Sequence, residues 1–209
     1  MKPNKIKAII FDMDGVLIDA REWHYKCLNQ ALACFGESID PEDHLSRFDG
    51  LPTKKKLEIL TEEERIPKKI HSLINDLKQK FTINYIHQEC SPVFHHEYAL
   101  SKLKKNGFSI GLASNSIRDT VDLMMSKSNL IDYFDIILSA SDVVNPKPDP
   151  EIYITAIDKL GLTPEQCLIV EDNHNGIVAA KEANAHVMEV NDTQDVTYKN
   201  IIIKLEKLN

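Results

Sequence analysis

The sequence predicts an α/β fold: a parallel sheet core flanked by helices and interrupted once by an inserted helical domain. Three observations carry that prediction. Residues 6–11 (IKAIIF) are a short apolar, β-branched run that ends in polar residues, the pattern of a strand buried on both faces. Residues 37–90 then contain charged helical stretches, LEILTEEE and IHSLINDLKQKF among them, and no convincing buried strand. After Ser91-Pro92, short apolar runs alternate with helices of about ten residues, which argues for a parallel sheet with right-handed crossovers.

The elements follow in order. The first strand, 6–11, runs into Asp-Met-Asp-Gly. A helical pattern starts at Glu22, with Trp23, Cys27, Leu28, Ala31, Leu32 and Phe35 at three- and four-residue spacings and Gly36 as its stop. In the second half, helix 97–105 ends at Asn106-Gly107, and strand 108–113 and helix 117–128 follow. Strand 135–139, helix 150–160, strand 167–171, helix 175–184 and strand 186–190 complete the alternation. The predicted core is therefore split, residues 1–18 with 92–209, around an inserted helical domain, 19–91.

Composition narrows the function. The chain has 209 residues, is 43% hydrophobic and carries a net charge of −7. An acidic surface argues against nucleic acid or an anionic membrane as partner, because both need clustered Lys and Arg. The run Lys54-Lys55-Lys56 is the main exception and reads as a solvated helix start. Four cysteines without CxxC spacing imply free thiols in a reducing cytoplasm. The first fifteen residues have neither the length nor the apolarity of a signal peptide or membrane span. His95-His96, being adjacent, are expected to point in different directions and not to bind metal.

In open parallel sheets, ligands bind at the carboxyl ends of the strands. Four predicted strand ends or their loops carry polar groups here: Asp12 with Asp14, Ser114 with Asn115, the stretch near Lys147, and Glu171 with Asp172. In an extended chain Asp12 and Asp14 project to one side, roughly 6–7 Å apart. Four carboxylates near one point repel one another unless a divalent cation sits among them, and all-oxygen ligands suit Mg²⁺. A carboxylate can also attack phosphorus and split one difficult transfer into two easier ones. Each piece alone has an ordinary reading: a turn, a helix cap, a loop lysine. Their order on successive strand ends of one sheet favours the chemical reading.

These motifs resemble those of the haloacid dehalogenase superfamily, in particular its β-phosphoglucomutase-like phosphatase branch. FDMDGVLID is similar to the first motif, LASNS to the second, NPKPDPEIY to the third and VEDNHNGIVAA to the fourth. The resemblance implies a Rossmann-like core with a helical cap domain. It also implies that Asp12 is the nucleophile and Asp14 the general acid/base. Ser114, Asn115 and Lys147 would bind the phosphoryl group. Asp12, the Asp14 carbonyl, Glu171 and Asp172 would hold Mg²⁺. Where the mutases carry a cap-loop arginine, this chain reads Asp49-Gly50-Leu51-Pro52-Thr53. His24 matches a cap-hinge histidine yet lies on an apolar helix face; a packed and a functional role both stay open.

The expected protein is a Mg²⁺-dependent phosphatase of a small phosphorylated metabolite, as a monomer or weak dimer. Its cap would choose the substrate through Gly50, Thr53, His24 and Lys80. A β-phosphoglucomutase-type phosphosugar mutase and a non-catalytic phosphoacceptor are the alternatives.

Overall fold

A computed structural model of the chain describes residues 6–48 and 50–208. In chain order the elements begin with β1 (Ala8–Phe11) and α1 (Arg21–Ala33). The single turn α2 (Pro41–Asp43) continues into a π-helical turn, His44–Phe48, before α3 (Thr53–Glu62) and α4 (His71–Glu89). Then come α5 (Phe94–Lys105), β2 (Ser109–Ala113), α6 (Arg118–Lys127), β3 (Ile136–Leu138) and α7 (Glu151–Lys159). β4 (Cys167–Glu171), α8 (His174–Glu182), β5 (His186–Glu189) and α9 (Tyr198–Leu208) close the chain. No strand lies between β1 and β2 among the described residues.

The strands are parallel, in the order β3-β2-β1-β4-β5. The α/β expectation is met, with β1 central. Its four side chains are wholly buried because helices cover both faces of the sheet. In register, Phe11 lies beside Leu112 and Val170, so the next residues in each strand, Asp12, Ala113 and Glu171, are level with one another. Sheet pairing thus brings residues distant in sequence to one edge.

The chain divides into two compact units, one holding everything up to Asp19 and from Cys90 onward, the other Ala20–Glu89. The second unit has its own core, built from Leu28, Leu32, Phe48, Leu57, Leu60 and Ile74. Its connection is pinned by Asn29, whose amide nitrogen donates to the Ile39 carbonyl at 2.7 Å while its oxygen accepts from the Ile39 amide at 2.8 Å.

Several local readings need correction. Lys54 and Lys55 are exposed, but Lys56 is buried beside Leu57, so the lysine run is only partly solvated. α5 begins at Phe94 and not at 97. α9 was not anticipated; it buries Ile201 and Leu205, four residues apart on one face, and packs along α5. His95 and His96 do not diverge. Their Nε2 atoms lie 3.1 and 2.9 Å from the same Thr193 carbonyl oxygen, which can only accept, so both rings donate.

Burial pushes His96 down to about 4 from its ordinary 6.5. Between those values the unfolded chain binds a proton that the native ring refuses. The contribution is therefore complete above pH 6.5 and is lost as pH falls towards 4, a change on the order of 3 kcal/mol. Urea midpoints measured across that range should fall less steeply for His96→Gln than for wild type. Parallel curves would assign the acid sensitivity to other groups.

Candidate active site

The candidate site lies wholly in the sheet-containing unit, at the carboxyl ends of β1, β2 and β4. Asp12 follows β1 directly, and its amide donates to the Val170 carbonyl at 3.0 Å. The chain then leaves the extended conformation. Gly15 has φ +89°, and the amides of Leu17 and Ile18 both donate to the Met13 carbonyl at 2.9 Å. Asp14 therefore belongs to a tight loop and not to a strand, which corrects the extended-chain argument for its direction. Its Oδ2 accepts from the Ser116 hydroxyl at 2.9 Å.

Lys147 occupies the centre. Its ammonium donates to Asp12 Oδ1 at 2.5 Å, Glu171 Oε1 at 2.7 Å and the Ala113 carbonyl at 2.8 Å. An ammonium has three protons, and all three are used. Burial works against this charge, but Asp12 and Glu171 outweigh it and hold the lysine above its ordinary pKa. Burial pushes the Asp12 carboxyl well above the usual carboxylate range; Lys147 opposes the rise, and Glu171, Asp14 and Asp172 add to it. Asp12 is thus more costly to ionise for the presence of the other acids, which is the condition a bound cation relieves.

The surroundings fix this lysine from several sides. Asn115 donates to the Lys147 carbonyl at 3.3 Å and accepts from the Lys147 amide at 3.0 Å. Its side chain, expected at the phosphoryl group, thus clamps the backbone of the lysine loop. Glu151 accepts from the amides of Val144 and Asn145 at 2.8 and 2.9 Å, anchoring the same loop to α7. Tyr153, fully buried on α7, donates to Glu171 Oε1 at 2.5 Å, and its ring centroid lies 4.7 Å from the Lys147 ammonium. Burial first, with Glu171 and Asp12 nearby, pushes its phenol well above the ordinary tyrosine value, so it stays a donor.

Asp12, Glu171 and Asp172 each offer an oxygen, all within 4.8 Å of one another. Two glycines make room for this group. A Cβ on Gly176 of α8 would stand 1.8 Å from Glu171 Oε1, and one on Gly15 would stand 2.1 Å from Asp172 Oδ2. The donor set is all oxygen and closely spaced, which fits Mg²⁺. Asn173 caps α8, its side chain accepting from the Asn175 amide at 3.0 Å, and so sets the turn after Asp172.

The structure thus gathers Asp12, Asp14, Ser114, Lys147, Glu171 and Asp172 around one region, with Ser114 Oγ accepting from the Ser116 amide at 3.0 Å. Ser116, Tyr153, Gly15 and Gly176 were not singled out in advance, although all lie inside the motifs quoted above. The remaining candidates belong to the other unit. His24 Nδ1 is 3.4 Å from the buried Lys78 ammonium. Gly50 has φ +70°, Thr53 opens α3, and Lys80 is exposed on α4. Asp49 lies outside the described residues.

Residues 9–190 match the family model of the haloacid dehalogenase-like hydrolases. The chain is 35% identical over 181 residues to YhcW of Bacillus subtilis (strain 168), covering 85% of this chain and 80% of that protein. It is 30% identical over 186 residues to the phosphorylated carbohydrates phosphatase of Thermotoga maritima, covering 85% and 82%. The crystal structure of β-phosphoglucomutase from Clostridium difficile superposes with a TM-score of 0.82 at 25% identity, covering 97% and 98%. No helix among the described residues is long and apolar enough to cross a membrane.

Proposed function

Because the chain belongs to the haloacid dehalogenase-like hydrolases, we propose that it is a Mg²⁺-dependent phosphatase of a small phosphorylated metabolite, acting through an aspartyl-phosphate on Asp12. One observation supports this reading above the others: a buried carboxylate, Asp12, held by a buried lysine at the carboxyl edge of a parallel sheet, with two more carboxylates beside it. The relation to a phosphatase of phosphorylated carbohydrates favours a sugar phosphate as the substrate class.

In the proposed reaction an Asp12 oxygen forms a bond to phosphorus while the bond from phosphorus to the leaving oxygen breaks. Asp14 protonates that oxygen, then accepts a proton from the water whose oxygen displaces Asp12 and releases phosphate. Ser114 donates its hydroxyl proton to the phosphoryl group, its oxygen already accepting from Ser116. A phosphoryl oxygen that reaches Lys147 takes the place of one of the lysine's three acceptors. Asp12, Glu171, Asp172 and the Asp14 carbonyl would hold Mg²⁺, which supplies positive charge for the oxygens of the transferring group. Choice of leaving group is assigned to the insert, with His24, Gly50, Thr53 and Lys80 as its candidates, because the four core motifs read only the phosphoryl group.

The likeness to a β-phosphoglucomutase favours one second reading, a phosphosugar mutase. The cap-loop sequence Gly50-Leu51-Pro52-Thr53, without an arginine, weighs against it. A panel of phosphorylated metabolites decides between them, run after chelation and again with Mg²⁺, and including a sugar 1-phosphate with and without its bisphosphate. Mg²⁺-dependent release of phosphate is the expected result. Isomerisation without phosphate release would make the chain a mutase, and no chemistry on any member would leave a phosphoacceptor.

A further inference from the structure

Ser116 joins the proposed phosphate-binding serine to the proposed acid/base. Its amide donates to Ser114 Oγ at 3.0 Å, its hydroxyl donates to Asp14 Oδ2 at 2.9 Å, and its carbonyl accepts from the Ala140 amide at 3.0 Å. The backbone that carries the hydroxyl is therefore held on both sides, by β2's following residue and by the turn after β3. Asp14 sits in a loop closed on the Met13 carbonyl and bridged to Ile18. The Ser116 hydroxyl thus ties one held backbone to the other.

Resting on the phosphatase reading, we infer that Ser116 is a positioning residue that gives the two oxygens of Asp14 different duties. Oδ2 accepts from Ser116, and Oδ1 exchanges the proton with the leaving oxygen and then with water. A carboxyl group delivers a proton well only when the carrying oxygen is within about 2.6–3.2 Å of its target. The Ser116 bond restrains the last side-chain torsion of Asp14, a torsion that is intrinsically broad and roughly two-fold in carboxylate side chains. Donation to Oδ2 also favours the tautomer in which the proton of the acid form is on Oδ1. The same residue links the position of the phosphoryl group, through its amide on Ser114, to that of the proton, through its hydroxyl on Asp14.

A proton matters most for a poor leaving group, so the readout is leaving-group dependence. The full-length wild type, Ser116→Ala and Ser116→Thr are assayed with Mg²⁺ on monoesters graded from p-nitrophenyl phosphate to ethyl phosphate. For Ser116→Ala, kcat on ethyl phosphate should fall about tenfold to a hundredfold further than kcat on p-nitrophenyl phosphate, a part of the ~10²–10⁴ that acid/base groups contribute. KM should change little across the series, and Ser116→Thr, which keeps the hydroxyl, should recover the wild-type slope. An equal loss on every ester would make Ser116 merely structural and overturn the inference, as would no loss at all. A wild type that hydrolyses none of the esters overturns the phosphatase reading itself, and this inference with it.

Discussion

Asp12→Asn is expected to lose about a thousandfold or more in kcat, ~4 kcal/mol of barrier, while remaining folded. The amide keeps the volume of the carboxyl and still offers an oxygen to Lys147, but it cannot attack phosphorus. Its effect on stability should have the opposite sign to its effect on activity. Asp12 is buried beside Glu171, Asp14 and Asp172, and burial with their repulsion already makes its ionised form costly. Removing that carboxyl relieves the group, so the melting temperature without metal should hold or rise. Wild type should gain more stability from Mg²⁺ than the variant does, because binding to the native state stabilises it in proportion to affinity. Residual turnover above a tenth of wild type would remove Asp12 as nucleophile, and equal Mg²⁺ stabilisation of both proteins would remove it as a ligand.

Gly176→Ala is expected to cost both activity and stability, although it adds one methyl group. Helix α8 passes so close to the Glu171 carboxylate that a Cβ would meet its Cδ at 2.0 Å, well inside any real contact. Glu171 is fully buried and bound by Lys147, Tyr153 and the Asp172 amide, so it has no easy place to go. Either the carboxylate leaves its partners or the helix shifts. Overpacking and a broken buried bond each cost about 1–3 kcal/mol, and turnover should fall about a hundredfold or more as the acidic group is displaced. A double-mutant cycle with Glu171→Ala isolates the cause. In that background the alanine has nothing to strike, and its cost in urea denaturation should nearly vanish. Additive losses would place the effect in the helix and not in the clash.

How much of this was legible beforehand depended on range. β4 was placed to its end residues, and β1 within two, because a strand buried on both faces is a continuous apolar run with polar ends. The acidic residues and Lys147 were legible because their order along the successive strand ends and loops of one sheet outweighs the ordinary reading each has alone. What escaped depends on approach through space. That Asn115 clamps Lys147, that Tyr153 lies under its ammonium, and that Gly176 makes way for Glu171 each join segments whose meeting no periodicity records. The shared carbonyl of His95 and His96 escaped for the same reason, since Thr193 is almost a hundred residues away. α9 escaped because it follows the last strand, where the alternation that located the other helices had ended.

The central position of β1 governs the order in which this chain can fold during synthesis. Ala8 pairs with Ser109 on one side and Cys167 on the other, so the first of the five sheet strands to be synthesised is completed by two of the later ones. At about 5–20 residues per second, β1 waits several seconds for one neighbour and longer for the second. Through that interval IIF is a short apolar strand with both edges open, the kind of segment that pairs with other chains. The insert Ala20–Glu89 is made within the wait, as a locally connected helical unit with its own apolar cluster. Asp12 acquires both Lys147 and Glu171 only once the chain as far as residue 171 has emerged. A nascent chain arrested before β4 therefore carries Asp12, the proposed nucleophile, without Glu171 beside it.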